Sequence, residues 1–131
     1  MFASGSWDKT IRIWSYSTEN GQHCVNELKG HLFSVKNFEF LADRNHLISG
    51  SNDKTIRVWD LNNENGTCLK VLECRHDSVT CVKYNEATKH LISCSWDETF
   101  KIWNVDTGEC EQTLKTESPL CSFELCFNNW N

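Results

Sequence analysis

Apolar and polar positions alternate along short runs of this chain. Val35, Phe38 and Phe40 stand against Lys36, Asn37 and Glu39, and Ile11, Ile13 and Trp14 flank Arg12. A side-chain period of two marks a half-buried β-strand, and β-branched and aromatic residues suit a pleated surface. No window keeps a helical period, and the chain has one proline. The pattern therefore predicts an all-β protein. Expected strands cover 1–6, 10–15, 24–28, 35–40, 46–51, 55–60, 68–72, 79–84, 89–95, 99–104, 109–114 and 120–127. Turn residues such as Asp8-Lys9, Asp43, Asn45, Gly66 and Asp106-Thr107-Gly108 separate them.

One stretch recurs. Ser4-Gly5-Ser6-Trp7-Asp8-Lys9-Thr10-Ile11-Arg12-Ile13-Trp14 returns from Ser49 to Trp59, and again from Ser93 to Trp103. A near-constant period implies a stack of supersecondary units, none of which buries its apolar face alone. Each unit reads as a four-stranded antiparallel meander, with strands a to d. Residues 1–29 supply b-c-d, 30–73 and 74–115 a full set each, and 116–131 a lone a strand. The match of Leu120, Phe123, Glu124 and Leu125 to Val35, Phe38, Glu39 and Phe40 suggests that last strand. The expected total is twelve strands.

Charge narrows the partners. The net charge is −5 with the signs interspersed, which speaks against nucleic acid or an anionic membrane surface, since both need a basic face. No apolar run reaches the ~18 residues needed to cross a bilayer. The repeat begins within a few residues of Met1, so no signal peptide is expected. The eight cysteines follow the repeat: Cys24, Cys68 and Cys110 share one place in each unit, and Cys94 replaces Gly5 and Gly50. They read as small core residues of a cytoplasmic or nuclear protein. Cys74 with His76, and His23 with Cys24, offer only half a metal site each, so no metal and no cofactor is expected. Asn65-Gly66-Thr67 fits the glycosylation sequon but is expected to be a plain loop in such a compartment.

These residues resemble the WD40 repeat, whose pattern runs from a Gly-His pair through Ser-x-Ser-x-Asp to Ile-x-Ile-Trp-Asp. Gly30-His31 leads to Asp53 and Trp59, and Arg75-His76 leads to Asp97 and Trp103. The resemblance implies a segment of a β-propeller with about three blades. It also implies a buried hydrogen-bonded set in each: His31, Ser49, Asp53 and Trp59; His76, Ser93, Asp97 and Trp103; and Ser4, Asp8 and Trp14 in a first unit that lacks its histidine. Chemically the set closes, because indole N–H only donates, carboxylate only accepts, and hydroxyl and imidazole do both. A Ser-His-Asp hydrolase is the competing reading. Recurrence in each unit argues against it, because a catalytic triad occurs once, beside an oxyanion hole.

Departures from the pattern matter as well. Only Trp59-Asp60 is the literal pair, and Thr116-Glu117 occupies the Gly-His place after the third unit. Rings of this kind typically close with 4–8 blades, so three leave open flanks. Two explanations compete: a piece of a longer propeller, and two chains joining into a six-bladed ring. The second would bring Glu117 near Asp8, two acids together. Completion by a different protein is a third route.

By resemblance, the protein is a non-enzymatic scaffold that binds other proteins or peptides at its d–a and b–c loops. The candidate binding residues are Trp7, Asn52 and Trp96 before each turn Asp, with Leu32, Phe33 and Asp77. Tryptophan is the residue that binding hot spots favour. Alternatively, Trp7 and Trp96 pack on neighbouring loops, and Asp77 is a solvated turn residue. Substrate recognition for a ubiquitin ligase is the leading variant of the binding role. There is no Trp-Asp-x-Arg box, and no arginine cluster that would suit a phosphopeptide.

Overall fold

A computed structural model describes residues 1–73 and 76–125. The described chain holds eleven strands and no helix: β1 (Phe2–Gly5), β2 (Ile11–Ser17), β3 (Gly21–Leu28), β4 (Val35–Leu41), β5 (His46–Ser51), β6 (Thr55–Asp60), β7 (Thr67–Glu73), β8 (Val79–Asn85), β9 (His90–Ser95), β10 (Thr99–Asn104) and β11 (Cys110–Lys115). They form three antiparallel meanders, β1-β2-β3, β4-β5-β6-β7 and β8-β9-β10-β11. Each of β2, β6 and β10 shifts register against the next strand at its Trp, between Ile13 and Trp14, Val58 and Trp59, and Ile102 and Trp103.

The middle sheet is apolar on both faces because it is covered on both. Towards the first sheet, Leu47 and Trp59 pack with Ile11, Ile13, Leu28 and Val35. Towards the third, Ile48, Ile56 and Val58 pack with Val79, Val82, Leu91 and Trp103. The period of two thus sorts each strand's side chains between two cores. Gly50 lies where the second core is tightest: a Cβ there would come within 2.6 Å of Val79 Cγ1.

The strand expected over 120–127 is not formed among its described residues. Residues 120–125 carry no strand, and 126 and 127 lie outside the described part. A strand is held by a partner's ladder of hydrogen bonds, and this segment meets the third sheet at isolated points without a ladder. Leu120 N donates to Ser95 O at 3.3 Å, Thr80 Oγ1 donates to Leu120 O at 2.7 Å, and Phe123 stands edge-on to Phe100.

Candidate binding rim and the hydrogen bonds behind it

In the middle sheet, four side chains form one buried chain of hydrogen bonds. The bulge at Trp59 sets its indole over β5, where Nε1 donates to Ser49 Oγ at 2.8 Å. Ser49 Oγ lies 2.7 Å from His31 Nε2, and His31 Nδ1 lies 2.7 Å from Asp53 Oδ2. An ionised carboxylate accepts only, so Nδ1 carries the proton and Nε2 accepts from the serine. Burial pushes the Asp53 carboxyl up. Hydrogen bonds from His31, Thr55 and the Leu32 backbone outweigh it and hold the group well below the usual carboxylate range. Gly30 admits this arrangement. Its φ is +156°, and a Cβ there would meet Arg57 Nη1 at 2.7 Å and Trp59 at 3.2 Å.

The third unit departs from the expected set. Trp103 Nε1 donates to Ser93 Oγ at 2.9 Å, but His76 is exposed and bonds neither Ser93 nor Asp97. Asp97 Oδ1 accepts from Thr99, while its Oδ2 is buried with no hydrogen-bond partner among the described residues. In sequence the Gly30 place is taken here by Arg75, which lies outside the described residues; the third unit offers no glycine to turn its histidine inward. The first unit also differs. Trp14 Nε1 donates to Ser4 Oγ at 2.9 Å, but on a face that no earlier sheet covers, so the pair is solvent-accessible rather than buried. Asp8 is exposed and accepts from Thr10 N, Thr10 Oγ1 and Arg12.

The turn expected at Asp8-Lys9 recurs in all three units with one geometry. After each Ser-x-Asp, Lys9, Lys54 and Glu98 adopt φ of 74°, 69° and 65°. In each, the serine hydroxyl accepts from the aspartate N–H, and the aspartate accepts from the threonine that follows. Its sequence signal is Ser-x-Asp-(Lys/Glu)-Thr: the turn serines Ser6, Ser51 and Ser95 are distinct from Ser4, Ser49 and Ser93, and only the aspartates are shared with the expected buried set. Aspartate in fact caps its own turn as well.

The rim residues divide into two groups. Trp7 is 86% exposed and Trp96 56%, and Leu32 and Phe33 are exposed on the loop before β4. The tryptophans therefore present open rings. Lys36 Nζ lies 5.4 Å from the Trp7 ring centroid, and Lys9 Nζ lies 6.0 Å from that of Phe33. These contacts draw Trp7, Phe33 and two ammonium groups from adjoining sheets into one patch. Asn52 and Asp77 make local hydrogen bonds to loop residues instead. Asn52 Nδ2 donates to Ser34 Oγ at 2.9 Å, and Asp77 Oδ1 accepts from Ser78 N at 2.7 Å.

Asp53 of the buried set and the neighbouring Ser51 hold the Leu32–Ser34 loop. Asp53 Oδ2 accepts from Leu32 N at 2.9 Å, and Ser51 Oγ donates to Phe33 O and Ser34 O at 3.1 and 3.0 Å. Clefts lined by Met1, Val25, Asn45, Leu61 and Asn62 lie at the other end of the sheets, among the a–b and c–d turns. The described residues contain no cluster of three or more His, Cys, Asp or Glu suited to a metal ion.

Comparison with known proteins gives the same repeat. The model of the WD domain, G-beta repeat matches residues 1–15, 22–60 and 66–104. A nuclear distribution protein nudF of Aspergillus niger is 36% identical over 117 residues, covering 88% of this chain and 26% of that protein. An F-box/WD repeat-containing protein sel-10 of Caenorhabditis elegans is 39% identical over 116 residues, 88% of this chain and 19% of its own. A pre-mRNA-processing factor 19 of Oryza sativa is 33% identical over 49 residues, 37% of this chain and 9% of its own. The chain thus spans about a quarter or less of the length of these relatives.

Proposed function

The chain belongs to the WD40-repeat family, and from that premise we propose that it is a non-enzymatic module binding other proteins or peptides through its Trp7, Leu32, Phe33 and Trp96 rim. Proteins of this family are typically interaction scaffolds. The observation that carries the reading is the exposure of Trp7 and Trp96 at equivalent turns, with Leu32 and Phe33 on the loop between them. Large rings held by backbone turns lose little entropy on binding and bury much apolar area. Lys9 lies over Phe33 and Lys36 over Trp7, so a peptide pairing an apolar side chain with a carboxylate suits the patch. The cytoplasm or nucleus is the compartment that goes with this role, and the described residues contain no helix long and apolar enough to cross a membrane.

Affinity capture with the wild type and with Trp96→Asp tests the reading. The variant should lose specific partners at least tenfold while its Tm stays unchanged. Equal capture by both would overturn it. A second reading, substrate recognition for a ubiquitin ligase, draws on the similarity to a relative named as an F-box/WD repeat protein. Co-purification of ligase subunits with the wild type would favour it.

A further inference from the structure

We propose that Cys81 and Cys94 are a modification site, a cross-strand thiol pair that hydrogen peroxide converts into a disulfide. The two residues are direct partners in the β8–β9 register, beside a bulge at Thr80. Residues opposite one another in an antiparallel pair project to the same face, with Cα atoms about 4.5–5.5 Å apart. A disulfide spans about 4.4–6.8 Å between Cα atoms. Both thiols are free and buried.

The middle sheet shows why this place is unusual. Its equivalent pair is Asn37 and Gly50. There Asn37 Oδ1 accepts from Val82 N, and Gly50 leaves room for Val79. In the third sheet the same face is covered by residues 120–125, which form no strand, and two sulfurs fill the space. Cys81 Sγ lies 3.9 Å from Phe123 O, and Cys94 Sγ lies 3.3 Å from Thr80 Oγ1. The surroundings divide the pair's roles. A hydrogen bond from Cys94, aided by the Phe123 backbone, the Ser122 hydroxyl and the Lys83 charge, outweighs burial and lowers the Cys81 thiol. The same bond and burial raise Cys94. Cys81, two residues from Lys83 on the same strand face, takes the attacking role in this proposal, because the thiolate is the reacting form, and Cys94 the resolving one.

The reaction balances. The Cys81 thiolate attacks one peroxide oxygen; the S–O bond forms, the O–O bond breaks, and the departing hydroxide takes a proton as water. The Cys94 sulfur then attacks Cys81; the S–S bond forms, the S–O bond breaks, and a second water leaves with the Cys94 proton. Two thiols are oxidised by two electrons and one peroxide is reduced to two waters.

The full chain, reduced and then treated with hydrogen peroxide, tests the assignment. Remaining thiols are alkylated, and trypsin cuts at Lys83 and Lys89 between the two cysteines. Mass spectrometry should find a Cys81–Cys94 linked peptide pair, lighter by two hydrogens than the free peptides, holding roughly half or more of Cys81. In Cys94→Gly, the residue of the middle sheet, Cys81 should run on to sulfinic acid. Should that variant not fold, the wild-type peptide map alone decides. Full alkylation of both thiols after peroxide would overturn the proposal, as would Cys81 linked to another cysteine, or Cys81 as sulfinic acid beside a free Cys94.

Discussion

Gly50 and Val79 meet across the second core so closely that a Cβ on the glycine would lie 2.6 Å from Val79 Cγ1. Gly50→Ala should therefore destabilise the protein by about 1–3 kcal/mol, the usual cost of overpacking. At Gly5, where Val35 Cγ1 is 3.2 Å from the same added atom, the alanine should cost less. Urea denaturation of both variants checks the order, and equal losses would contradict it.

Trp59 and Trp14 donate the same bond in different surroundings, one buried and one accessible. Trp59→Phe strands the Ser49 and His31 polar groups inside the protein and should cost about 1–3 kcal/mol. Trp14→Phe leaves Ser4 free to bond water and should cost a fraction of that. Paired thermal melts distinguish the two.

Asp53 links stability to pH. Its folded pKa is depressed, so its contribution is complete above the unfolded value of 3.8 and is lost as pH falls towards the folded one. Stability should drop more steeply between about pH 5 and pH 3 in the wild type than in Asp53→Asn. Parallel slopes would show that the carboxylate is not paired as described.

Asp97 should behave oppositely to Asp53. Among the described residues its Oδ2 is buried without a partner, and only Oδ1 is hydrogen-bonded. Asp97→Asn should be near neutral or stabilising at pH 7, whereas Asp53→Asn should lose about 1.5–3 kcal/mol with its charged bonds. Denaturation midpoints of the two variants test the contrast.

The strands were legible because they depend on a period written locally, and the Trp–Ser pairs because the repeat resembles a family that implies them and their donor chemistry closes. Trp59, Ser49, His31 and Asp53 meet as those properties require. His76 was not legible from its own identity: an inward imidazole needs the preceding backbone to turn as Gly30 does, and Arg75 precedes it. The exposure of Ser4 and Trp14 depends on whether a sheet covers their face, which no residue in the repeat encodes. For 120–125, the apolar pattern could say that one side is buried, but not whether a strand partner supplies the ladder. The two tryptophans at the rim were left open by the sequence, because a turn position alone does not decide between packing and exposure.

The central claim is that the loops around Trp7, Leu32, Phe33 and Trp96, the Leu32–Ser34 loop being held by Asp53 and Ser51, form the docking surface. Hydrogen–deuterium exchange on the protein with a captured partner measures this most directly. Protection should rise at residues 7–9, 31–36 and 96–98 and stay unchanged at 42–46 and 61–66. Protection confined to 42–46 and 61–66 would contradict the account.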